Sequence, residues 1–126
     1  MRFVVLAIAS LLLMSATDFL GQTRSSQKPE TFAAFLETFR AAVQSGDKEK
    51  VASMTQLPFL FEGEELNHDG FIAKFDALFD TGIKKCFLKA RPVRDGAYFE
   101  VPCTETSFMF RKVSGKFKFV EIGVND

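Results

Sequence analysis

Residues 31–63, TFAAFLETFRAAVQSGDKEKVASMTQLPFLFEG, decide the fold: they spell a helix, a break, a second helix and a strand, in that order. Phe32, Phe35, Leu36, Phe39 and Val43 recur at i, i+3, i+4, i+7 and i+11, which is one face of an α-helix. Glu30, Glu37, Arg40 and Gln44 fall largely off that face. Pro29 suits a first helical turn, where the N–H it lacks would have no partner. Gly46 takes the left-handed conformation that ends a helix at little cost. Asp47 can accept from the first amides of a new helix running through Val51 and Met54. Pro58 stops that helix. Phe59, Leu60 and Phe61 therefore read as a strand, ended by an acidic loop of Glu62, Gly63, Glu64 and Glu65.

Ahead of this stretch, Arg2 is followed by an apolar run over residues 3–14. That run falls short of the ~20 residues a transmembrane helix needs, and reads as an export signal. The reading divides the 126-residue chain into a signal peptide at 1–21, cut near Gly21, a polar Ser-rich tether at 22–29, and one domain at 30–126. An uncleaved anchor is the other reading. No cysteine follows the apolar run, so a lipid anchor is not expected. The expected destination is the periplasm or the exterior, with no stable membrane insertion after cleavage.

Sixteen basic residues balance sixteen acidic ones, so no excess positive field is available to hold phosphate backbones, which argues against nucleic acid. The aromatic residues are sixteen Phe, one Tyr and no Trp. Phenylalanine has no polar handle and serves as fill for a core, a pocket or an interface. Cys86 and Cys103 are the two cysteines. In an exported chain they suggest a disulfide, worth roughly 3 kcal/mol in the chain-entropy model. Two buried free thiols are the alternative, and spacing does not choose between them.

Downstream, Asn67 caps a second amphipathic helix with Phe71, Ile72, Phe75, Leu78 and Phe79 on its apolar face. Lys74, Asp76 and Asp80 lie outside that face, and Thr81-Gly82 ends the helix. Residues 83–89 suit either another helical turn or the start of a strand; the reading adopted is a short helix running into a strand through Ala90. Asp95-Gly96 is a turn signal. A strand follows at 97–101, with Phe99 and Val101 on one face and Tyr98 and Glu100 on the other. After a connection at 102–105, a strand at 106–113 alternates Phe108 and Phe110 with Ser107 and Met109. Ser114-Gly115 turns the chain into a last strand at 116–124. There Phe117 and Phe119 share one face, while Val120, Ile122 and Val124 share the other. That switch calls for a bulge or for a strand buried on both sides.

The expected class is α+β, with N-terminal helices packed on a curved antiparallel sheet. Three stretches carry a resemblance: Phe39-Arg40-Ala41-Ala42-Val43 with Gly46-Asp47-Lys48-Glu49, then Leu57-Pro58-Phe59, and the closing hairpin from Phe108-Met109-Phe110 to Gly115-Lys116-Phe117-Lys118-Phe119-Val120. In this order, with the helix of Phe71, Phe75 and Phe79 between them, they resemble the NTF2-like (cystatin-like α+β) superfamily. The likeness is greatest to its small exported members of unassigned function. The resemblance implies a cone whose pocket lies between sheet and helices, and enzymes and non-enzymes share that scaffold. Members often carry tryptophan where this chain has Phe117. Phe35, Phe39, Phe75, Phe79, Phe99, Phe108, Phe110 and Phe119 would then line the pocket or fill the core.

The superfamily's hydratases and isomerases place an Asp, His or Tyr inside the cone. Here His68 sits in a first helical turn beside Asp69 and reads as solvated. Tyr98 and Glu100 share a strand face; inside a cone they would bind or ionise a ligand, and facing water they would be ordinary outward residues. Asp76 reads as exposed. Glu62, Glu64 and Glu65 offer too few ligands for calcium. No zinc spacing, phosphate loop or nucleophile elbow is present, so neither metal nor cofactor is expected. Two functions follow. One is an exported non-catalytic module that binds a small apolar ligand or a protein partner, with a homodimer through the outer sheet face as one form. The alternative is a small isomerase or hydratase using Tyr98, Glu100 and Asp76.

Overall fold

The computed structural model describes residues 29–124. The leader expected at 1–21 and the tether at 22–29, apart from Pro29, lie outside the described residues. Helix α1, Phe32–Ser45, is capped by Thr31, whose Oγ1 accepts from the Ala34 N–H at 3.2 Å. Pro29 therefore precedes the helix instead of occupying its first turn. Gly46 ends α1 at φ 70°, with its N–H on the Val43 carbonyl. Asp47 then caps α2, Lys48–Ser53, by accepting from the Lys50 N–H at 3.1 Å.

Strand β1, Phe59–Phe61, forms as expected, but the acidic loop does not. Glu62 and Gly63 both take positive φ, 51° and 77°, so the chain reverses within two residues. Glu64 and Glu65 are thereby free to pair in β2, Glu64–Leu66, with Glu65 opposite Leu60 and Leu66 opposite Phe59. The two strands make a small sheet of their own.

Asn67 caps α3, His68–Leu78, through the Gly70 N–H at 2.8 Å. That helix ends before Asp80, which caps α4, Thr81–Phe87, by accepting from the Ile83 N–H at 2.9 Å. No strand runs through Ala90. The Ala90 N–H turns back to the Cys86 carbonyl at 2.8 Å. Arg40 donates to the carbonyls of Phe87 and Ala90, so this segment is spoken for before it can reach a sheet. Burial lowers the Arg40 pKa from its ordinary value, and the guanidinium stays charged.

The main sheet is antiparallel with order β3-β4-β5-β6, formed by Val93–Asp95, Tyr98–Cys103, Thr106–Val113 and Lys116–Val124. Strand β4 extends two residues past the expected end at Val101. Partner β3 covers only Tyr98, Phe99 and Glu100. Pro102 therefore lies where β4 is an edge, the position a residue without an N–H tolerates. In β6 the face switch is a bulge: Phe110 pairs with Phe119 and Met109 with Glu121, leaving Val120 as the extra residue. Ile122 is turned onto the side of Phe108 and packs against the core. The face away from the helices carries Tyr98, Glu100, Met109, Arg111, Lys118 and Glu121. The apolar outer row of Val120, Ile122 and Val124, on which a sheet-face dimer was to rest, does not form. The bulge's own edge is covered, since the Phe119 N–H donates to Met54 at 2.9 Å and its carbonyl accepts from Gln56 at 2.8 Å.

The four helices of the described residues pack on one side of the main sheet, an α+β architecture. Phe32 of α1 stacks on Phe99 of β4 at 4.1 Å, Phe79 follows α3 onto Phe108 at 5.5 Å, and Phe87 of α4 meets Phe108 at 4.9 Å. Cys86 and Cys103 form a disulfide that staples α4 to β4, with Cα atoms 5.7 Å apart.

Candidate functional site

The space between helices and sheet is filled with rings. Phe39 lies at its centre, 5.2 Å from Phe110, 5.6 Å from Phe119, 5.7 Å from Phe87 and 5.9 Å from Phe35. Phe35, Phe39, Phe75, Phe79, Phe108, Phe110 and Phe119 are buried fill. Phe99 alone of the eight expected lining residues is half-buried, at the open end of the sheet.

Tyr98 and Glu100 share one face of β4, while Asp76 and His68 lie apart from them on α3. Tyr98 and Glu100 alternate with Phe99 and Val101, and since Phe99 and Val101 pack toward the helices, the other two point away from them. The Glu100 carboxylate accepts from the Ser107 hydroxyl across the strand pair. Asp76 is on α3, 84% exposed, in an ion pair with Lys48 at 3.4 Å. His68 is exposed and holds Asp69 with Nδ1 at 2.9 Å and Glu49 with Nε2 at 2.7 Å. Hydrogen bonding to Asp69, then to Glu49, raises its pKa above the ordinary histidine value. Among the described residues no group of His, Cys, Asp and Glu is placed to hold a metal ion. Among the same residues no helix is long and apolar enough to cross a membrane.

Among the described residues, two surface hollows are roomier than a third of about 330 Å³ that Phe35, Lys50, Met54 and Phe117 help to line. One, of about 650 Å³, runs along α1 beside residues 88–92 and is lined by Ala33, Leu36, Ala41, Leu88 and Pro92 with Glu37, Arg40, Gln44 and Lys89. Its central cation, Arg40, is already committed to two backbone carbonyls.

The other, of about 400 Å³, lies at the open end of the sheet and is lined by Arg94, Ala97, Phe99, Arg111, Lys112 and Phe117. Strand register builds it. Arg94 pairs with Phe99 and Lys112 with Phe117, so two ring–cation pairs share the helix-side face. Arg94 sits 5.3 Å from the Phe99 ring centre and Lys112 5.2 Å from that of Phe117. Phe99 and Phe117 themselves meet edge to face at 5.8 Å. The hollow has an aromatic floor and a cationic rim. Sequence reasoning missed it because its residues come from four strands and one turn, and only the register of β3 to β6 makes them neighbours.

No family model matches the chain, and neither a curated protein nor a solved structure matches it.

Proposed function

We propose that the protein is a non-catalytic binding module that takes a small apolar ligand in the hollow at the open end of its sheet. The observation that carries this reading is the division of the phenylalanines. The interior between helices and sheet is packed shut, while half-buried Phe99, with buried Phe117 edge-on beside it, forms a floor that lines the hollow. A volume of about 400 Å³ suits a small molecule. Tyr98 and Glu100 share the face turned away from the helices and Asp76 lies apart on α3, which weighs against the isomerase or hydratase alternative, since that needs all three convergent in a pocket. The order of two helices, a hairpin, two helices and four antiparallel strands supports an NTF2-like scaffold as part of the proposal. The Cys86–Cys103 disulfide supports an oxidising, exported destination.

The test is a fluorescence titration with Nile red, a neutral apolar dye, on the purified protein and on Ala97→Trp. Ala97 is an exposed turn residue beside the floor, so the larger ring fills the hollow without entering the core. Saturable enhancement is expected in the wild type, together with its loss in a variant whose melting temperature is unchanged. Absence of saturable binding, or binding indifferent to Ala97→Trp, would overturn the proposal.

A further inference from the structure

We infer that the ligand of this hollow is an amphipathic anion: a small carboxylic acid whose hydrocarbon body lies on Phe99 and Phe117 while its carboxylate meets Arg94 and Lys112. The inference rests on the binding-module reading and adds the chemical class of what is bound.

Charge is the first argument. The chain as a whole is balanced, yet the lining of this hollow contains three cations and no acid; Arg94 and Lys112 stand on its helix-side face, while Arg111 pairs with Tyr98 on the other. None of the three has a carboxylate partner among the described residues; the ion pairs there belong to Lys48 and His68. Asp95 alternates with Arg94 and pairs with Tyr98, on the opposite face of the sheet. Arg94 donates from Nε to the Gly96 carbonyl at 3.4 Å, which leaves its terminal nitrogens free to grip a carboxylate through two parallel bonds.

Preorganisation is the second argument. Arg94 and Lys112 each rest against a floor ring, so the cations are held beside the apolar surface a ligand body would cover. A rim cation fixed in this way loses less side-chain freedom on binding than a free surface lysine would. A neutral hydrocarbon would use the floor and leave the rim idle. A small inorganic anion would use the rim and leave the floor wet. One molecule with both parts uses the floor and the rim together.

The experiment compares 2-naphthoate, 2-naphthalenemethanol and inorganic phosphate by isothermal titration on the purified protein, with Arg94→Gln/Lys112→Met as the variant. Both substituted residues are exposed, and retained melting temperature confirms folding. The acid is expected to bind about tenfold more tightly than the alcohol at low salt, the worth of roughly one charge-assisted hydrogen bond. That advantage is expected to shrink in the variant and as salt is added. Equal binding of acid and alcohol would overturn the anion inference while leaving the binding module standing. An advantage unchanged in the variant would overturn the role of this rim. Phosphate that binds as well as naphthoate would overturn the amphipathic class. Binding of none of the three would sink the inference, and it would sink the module too if Nile red also failed.

Discussion

His68 spans from α3 to α2 by touching two carboxylates with its two ring nitrogens, Asp69 on one side and Glu49 on the other. Both nitrogens donate only in the imidazolium; the neutral ring keeps one donor and loses half of the arrangement. The folded pKa is therefore raised above 6.5, chiefly by the hydrogen bond to Asp69 and then by the one to Glu49. The sign follows from linkage. The contribution to stability is complete below the unfolded value and is lost as pH rises through the higher folded value. Proton NMR of the single histidine should place its midpoint above 6.5, with Asp69→Asn and Glu49→Gln each bringing it down. A midpoint at or below that value would show that the contacts do not persist in water. The pairing with Asp69 was readable from adjacency. The one with Glu49 was not, because it depends on how α2 and α3 pack across 19 residues of sequence.

Among elements, what was readable divides along the same line between local and distant causes. Gly46, Asp47 and Asn67 end or start helices through bonds within four residues, so their types alone announce the boundaries. The turn at Ser114-Gly115 was equally plain, both residues taking positive φ. The hairpin of β1 and β2 was hidden because Glu62-Gly63-Glu64-Glu65 looks like a solvated loop, and only the tight reversal at Glu62 and Gly63 frees the next two for pairing. Spacing left the disulfide undecided, since it requires α4 to lie against β4, which long-range packing determines. Once there, it closes a loop with a sequence separation of 17. Cys86→Ser/Cys103→Ser should lower stability by about 3 kcal/mol in the chain-entropy model, read as a shift of the urea midpoint at constant slope. A double variant as stable as the parent would mean that the packing of Phe87 and the Arg40 hydrogen bonds hold α4 in place without it.

At the scale of the whole molecule, one residue type does two jobs that position separates. Phe39 is wholly inaccessible and surrounded by rings from α1, α4, β5 and β6. Phe99 reaches the same ring network through Phe32 and Phe117 but shows its other side to the hollow. Composition announced a surplus of phenylalanine without saying which residues were fill and which were floor. Only the ladder Arg94–Phe99–Phe110–Phe119 sorts them, from cationic rim to buried centre. The sorting has a measurable consequence. Phe39→Ala empties a site that its neighbours cannot collapse into, and should cost about 3–5 kcal/mol. That is much of the 5–15 kcal/mol or so available to a domain of this size. Phe99→Ala, half-buried at the start, should cost less than half as much and leave a cooperative fold, yet abolish Nile red and naphthoate binding. Denaturant curves paired with the two titrations read both effects on the same preparations. Equal destabilisation by the two substitutions, with ligand binding intact in folded Phe99→Ala, would return Phe99 to the core and leave the hollow without a floor.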